Sequence, residues 1–148
     1  MKLLSKPTTN YKANKNIKLG YHTYFLSLAH SDISGYNVCP MANKLKAKEN
    51  NKNKSSCSSV CVGYNGYAGI YKSIMEARVR KTKLFFENRD LFFEYLIKDI
   101  QSAIKSSTKK GLIPTFRLNS YSDIKYENIK VNYNNKVYNN IFEIFPDI

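Results

Sequence analysis

The stretch that decides the fold runs from Asn88 to Asn119, NRDLFFEYLIKDIQSAIKSSTKKGLIPTFRLN. Phe92, Leu96, Ile100, Ala103 and Ile104 fall at i, i+4, i+8, i+11 and i+12, which lays one apolar stripe along a helix. Asn88 stands where an N-cap acceptor is needed, and Asp90 brings negative charge to the first turn. Lys109-Lys110-Gly111 ends the helix: cations meet the negative end of the dipole and glycine takes the C′ position. Ile113 to Asn119 then reads as a strand, with Pro114 confining its first residues to an edge or entry position.

Upstream, Tyr21 to Ala29 is aromatic and apolar and is bounded by Gly20 and by Ser31-Asp32, which reads as a buried strand. Ile74, Ala77, Thr82, Leu84 and Phe85 loosely follow helical spacing, with Arg78, Arg80, Lys81 and Lys83 between them. A strand, a helical crossover and a strand imply a parallel pair. Downstream, Val131 to Tyr138 reads as a small hairpin around Asn134-Asn135, and Asn140 caps a short helix, Ile141 to Phe145, stopped by Pro146. The expected fold is α/β: an incomplete parallel sheet, or partial barrel, of βα units with a long cysteine-containing loop and a hairpin. Residues 1–18 are expected as a basic mobile arm and 19–148 as one α/β domain with a disordered insertion at about 43–56. If Ile141–Phe145 is a crossover helix, a further strand should follow it. The expectation is then a truncated sheet with an apolar patch beside Arg117–Asn119, completed by self-association or by a second polypeptide.

The 148 residues suffice for one core, with 43% hydrophobic and 14% aromatic content. The net charge is +13, from 24 Lys and Arg against 11 Asp and Glu. One explanation is a polyanion partner, such as weakly bound nucleic acid with exposed Tyr rings stacking on bases. The other is coding bias, since Lys, Asn, Ile and Tyr crowd the chain and Lys outnumbers Arg. No apolar run approaches the ~20 residues of a membrane helix, and Lys6-Pro7 breaks any leader-like start, so no membrane role is expected. Three cysteines cannot form a paired disulfide framework, which points to a reducing cytosol.

All three cysteines, Cys39, Cys57 and Cys61, lie in the segment from Ser31 to Gly69. If the polar insertion loops out, the three thiolates converge, and three thiolates suit a soft metal. The alternatives are an iron–sulfur cluster, zinc completed by His30 or His22, or three small buried residues with no ligand. Ligands of parallel sheets sit beyond the carboxyl ends of the strands, so the cysteine loop and the loop from Asn119 to Asp123 should open together. Arg78 and Asn119 are candidate anion or substrate contacts. So is Arg117, which lies in an otherwise apolar strand and calls for a carboxylate or an anionic ligand: either Asp123 is its partner or Arg117 and Asp123 both contact substrate. No Ser/His/Asp triad and no phosphate-loop template is present.

Several stretches resemble a tailed-bacteriophage protein family with a three-cysteine motif. They are Ser34-Gly35-Tyr36-Asn37-Val38-Cys39-Pro40-Met41-Ala42, the Cys57/Cys61 pair, and Glu76 through Glu87. Arg117-Leu118-Asn119, Ser122-Asp123-Ile124, Asn140-Ile141-Phe142 and Phe145-Pro146-Asp147 follow in order. That family distantly resembles radical-SAM-type phage proteins. The resemblance implies a [4Fe–4S] cluster on Cys39, Cys57 and Cys61, an open iron that binds S-adenosylmethionine, and the host cytoplasm as the place of action. The spacing here is C-x17-C-x3-C, against the compact C-x3-C-x2-C of that superfamily.

Overall fold

The computed structural model describes residues 1–40, 61 and 70–147. In chain order the elements are β1 (Leu4–Ser5), α1 (Tyr11–Ile17), β2 (Tyr21–Leu26), α2 (Ser31–Ser34), α3 (Lys72–Glu87), α4 (Arg89–Thr108), β3 (Ile113–Arg117), β4 (Val131–Tyr133) and β5 (Lys136–Tyr138). Short 3-10 turns cover Pro7–Thr9, Tyr126–Asn128 and Ile141–Ile144. The chain divides into two compact units. One comprises Met1–Ser27, Asn88–Ser120 and Lys125–Ile148, the other Leu28–Glu87 and Tyr121–Ile124.

The first unit holds a three-stranded sheet in the order β1-β2-β3. β2 and β3 pair in parallel, from Tyr21 opposite Ile113 to Phe25 opposite Arg117, as the strand–helix–strand order predicts. Alternation along β2 buries His22, Tyr24 and Leu26 and leaves Tyr21, Thr23 and Phe25 more open. α4 covers the buried side. Its Asn88 cap accepts from the Leu91 N–H at 3.1 Å, and Phe92, Leu96, Ile100 and Ala103 are buried as the stripe requires. Phe93, Ile97 and Ser107 are buried too, because α4 packs on β1, β3 and β4 and so needs a wider apolar face than one stripe. On the other side of β2, Asn16 of α1 donates to Thr23 Oγ1 at 3.4 Å.

The sheet is mixed and does not form a barrel. β1 pairs antiparallel with β2, Leu4 opposite Leu26, so β2 is the central strand. The first 18 residues, expected as an arm, carry a strand, a turn and a helix. Leu3 and Leu4 are 0% and 4% exposed, and Asp99 of α4 accepts both of their backbone N–H groups through Oδ2, at 2.6 and 2.9 Å. Two leucines among lysines and asparagines have no period of their own to reveal a strand. β2 also stops at Leu26, short of the expected Ala29. The hairpin is present, and its turn puts Asn134 and Asn135 at φ of 49° and 60°, the pair of left-handed residues that a type I′ turn needs. Asn140 caps the final turn as expected, accepting from Phe142 and Glu143. The turn is 3-10 over Ile141–Ile144 and not a crossover α-helix.

In the second unit, α2 is one turn long and is capped by His30, whose Nδ1 accepts the Asp32 N–H at 3.2 Å. Thr82 of α3 is fully buried. Its hydroxyl donates to Arg78 O at 2.9 Å and accepts the Ala29 N–H at 2.8 Å. Tyr36 stacks on Phe86 and donates to Glu87 at 2.8 Å. The expected insertion at 43–56, and Cys57 with it, lie outside the described residues.

Candidate functional site

The segment that follows β2 and the segment that follows β3 meet in the second unit. Val38, fully buried, accepts the Asp123 N–H through its carbonyl at 2.9 Å. The neighbouring Cys39 thiol donates to Tyr121 O at 3.6 Å, and the Cys39 N–H is held by Asn37 Oδ1 at 3.0 Å. Arg78 of α3 lays its guanidinium over the Tyr121 ring, 4.4 Å from the centroid. Tyr121 thus gathers Cys39 through its carbonyl and Arg78 through its ring. A pinned backbone, a partly exposed thiol and a fixed cation lie within one small cluster.

Of the residues singled out in the sequence, Cys39, Arg78 and Asp123 are brought together in this way. Cys61 is partly exposed, and Cys57 is not among the described residues. Within the described residues, no three of His, Cys, Asp and Glu are grouped as a metal ion would need. His30 is buried, and its Nδ1 is committed to the cap of α2. Arg117 and Asn119 belong to the first unit. Arg117 ends an exposed edge of β3, where its Nε reaches Asn119 O at 3.4 Å, so water solvates the guanidinium and no buried carboxylate is required.

The first unit holds two concavities. Beside β3 an apolar groove of about 260 Å³ is lined by Pro114, Phe116, Leu118, Ile141, Phe142 and Phe145. A larger cavity, about 370 Å³, is polar. Its floor is a buried cluster that sequence reading missed. His22 Nδ1 lies 2.8 Å from Ser107 Oγ and 3.0 Å from the Tyr24 hydroxyl, and those two hydroxyls are 3.3 Å apart. The signal was present in β2, where His22 and Tyr24 alternate onto the side that faces α4, but an aromatic strand reads as apolar throughout. Burial first, and Lys110 second, hold the His22 pKa below its ordinary value.

A family model described as Gene product 88 matches residues 2–148. The chain belongs to the Gene product 88 family. This is a family of phage gene products, in line with the tailed-phage resemblance of the sequence motifs. No curated protein and no solved structure matches the chain. In this member of the Gene product 88 family, the motif around Cys39 and the motif around Asp123 lie in contact in the folded chain, which accounts for two separate stretches being recognisable together. Among the described residues, no helix is long and apolar enough to cross a membrane.

Proposed function

We propose that this phage protein is a thiolate metal-centre protein in which Cys39, Cys57 and Cys61 hold an iron–sulfur cluster of the radical-SAM type. The observation that carries the reading is the junction at Cys39: segments leaving two adjacent parallel strands are tied together there. In α/β proteins the segments that follow the carboxyl ends of the strands commonly carry the ligand-binding residues. Cys39 and Cys61 are both partly exposed, as thiols that receive a metal must be. Arg78, fixed on Tyr121, supplies positive charge beside an anionic centre. A cluster with one open iron supplies one-electron chemistry with S-adenosylmethionine. The chain's own part is to deprotonate and position the thiols and to hold the loop pair closed around them.

Metal analysis of protein expressed anaerobically with iron and sulfide tests this. The expected result is iron, inorganic sulfide and broad visible absorption, lost together in Cys39→Ser, Cys57→Ser and Cys61→Ser. Zinc without iron would replace the cluster with a structural site completed by His30 or His22. Protein with neither metal overturns the reading.

A second reading is favoured by a different observation. Tyr11, Tyr21 and Tyr71 are 77%, 44% and 52% exposed on a chain of net charge +13. That combination suits weak, sequence-blind binding of single-stranded nucleic acid. Such binding should fall steeply with salt and survive the three Cys→Ser changes. Binding that vanishes with the cysteines would discount charge and stacking as its source.

A further inference from the structure

The polar cavity of the first unit carries an inference that does not depend on the cysteine centre. It is floored by β2 and α4 and walled by the N-terminal segment. Its volume, about 370 Å³, lies in the range of small-molecule sites. Lys2, Lys6 and Lys110 line it, with one carboxylate, Asp99. That carboxylate is already engaged: its Oδ2 accepts the N–H groups of Leu3 and Leu4. The charge left to face a ligand is positive. Thr8, Ser102 and Ser106 add hydroxyls at the walls.

The decisive residue is His22, which is 4% exposed and lines this cavity. Two hydroxyls, from Ser107 and Tyr24, converge on its Nδ1. The Tyr24 hydroxyl also reaches Ser107 Oγ at 3.3 Å and Ala103 O at 3.5 Å. The shortest of these contacts is Ser107 Oγ to Nδ1 at 2.8 Å; with the Ser107 hydroxyl donating there, the ring proton resides on Nε2. Nε2 has no protein partner among the described residues. In that tautomer a buried imidazole that lines the cavity carries an N–H, and three lysines line the same cavity. Neutral His and Ser donors with Lys point charges match a tetrahedral dianion, whose several oxygens each accept hydrogen bonds.

We propose that the cavity bounded by His22, Lys6 and Lys110 is a binding site for the terminal phosphate of a small phosphomonoester. His22 Nε2 donates to a phosphate oxygen at the floor, and the lysines at the rim neutralise the charge. The rest of the ligand occupies the remaining volume against Leu4 and Pro7. A free metabolite and the 5′ end of an oligonucleotide present the same phosphate chemistry. The enclosure favours the small molecule.

The chain has two histidines, so ¹⁵N-detected imidazole spectra separate them, and His30 serves as an internal control. Inorganic phosphate, a nucleoside 5′-monophosphate, and short oligonucleotides with and without a 5′-phosphate are titrated, with chloride at matched ionic strength. The expected result is saturable movement of the His22 Nε2 resonance with phosphate and with the monophosphate, no movement at His30, and none with chloride. Lys6→Ala and Lys110→Ala, both at exposed positions that leave the fold intact, should each weaken binding roughly fivefold. Three outcomes overturn the proposal: no movement of His22, movement that chloride reproduces, or affinity unchanged in the Lys6→Ala/Lys110→Ala double variant. Movement with the 5′-phosphorylated oligonucleotide alone would assign the pocket to a nucleic-acid end and overturn the small-molecule assignment.

Discussion

Thr82 shows how much one hydroxyl can hold. It is fully buried, donates to the Arg78 carbonyl in its own helix, and accepts the N–H of Ala29, itself 1% exposed. Thr82→Val keeps the shape and removes the acceptor, so a buried N–H loses its partner. Such a loss costs about 1–3 kcal/mol. Urea denaturation should show that drop, while Thr82→Ser should recover most of it because the acceptor returns. Equal stability of the Val variant and the parent would mean that Ala29 finds another acceptor. Because Arg78 lies one turn before Thr82 and stacks on Tyr121, the same substitution should also loosen the junction at Cys39. Faster alkylation of the Cys39 thiol would report it.

At the scale of elements, β1 is held as much by a side chain as by its ladder. It is two residues long, and Asp99 of α4 takes two of the N–H groups at its start. Asp99→Ala removes two charge-assisted bonds and should lower stability by roughly 2 kcal/mol. Hydrogen exchange should quicken at Leu3 and Leu4 well before it does in β2 and β3. Uniform acceleration across the sheet would show that β1 contributes no separate contact. This element was invisible in the sequence for a physical reason: a two-residue strand has no period, and the carboxylate that anchors it is nearly a hundred residues away. α4, by contrast, was legible in its extent and its ends, though its buried face is wider than the one stripe. Its stripe, its Asn88 cap and its glycine stop are all local features, and each acts within one turn. The hairpin was legible too, since Asn134-Asn135 is one of the few pairs that tolerate two left-handed residues. The candidate sites divide along the same line. The cysteine loop could be read from spacing, although what it binds could not. The polar cavity could not be read at all, because its lysines, its imidazole and its hydroxyls come from three separate parts of the chain.

For the whole molecule, pH is the informative variable. The His22 pKa is lowered from 6.5 by burial and by Lys110, so the unfolded chain takes up a proton before the folded one does. Stability contributed by neutral His22 is complete above pH 6.5 and is lost as pH falls toward the folded-state value. Urea midpoints should therefore decline as pH is lowered through that window, and the decline should be shallower in His22→Gln. Parallel curves for the two proteins would place the acid sensitivity elsewhere. The tie between Leu3 and Asp99 has a further consequence, in the order of events during synthesis. The bond spans 96 residues, so at roughly 5–20 residues per second the leucines are made about 5–20 s before their carboxylate. Within that interval β1 can pair with β2, but α4, which covers the buried side of the sheet, is still incomplete. β1 is thus made well before the helix that anchors it, and until α4 is complete the apolar side of the β1–β2 pair stays open to a chaperone.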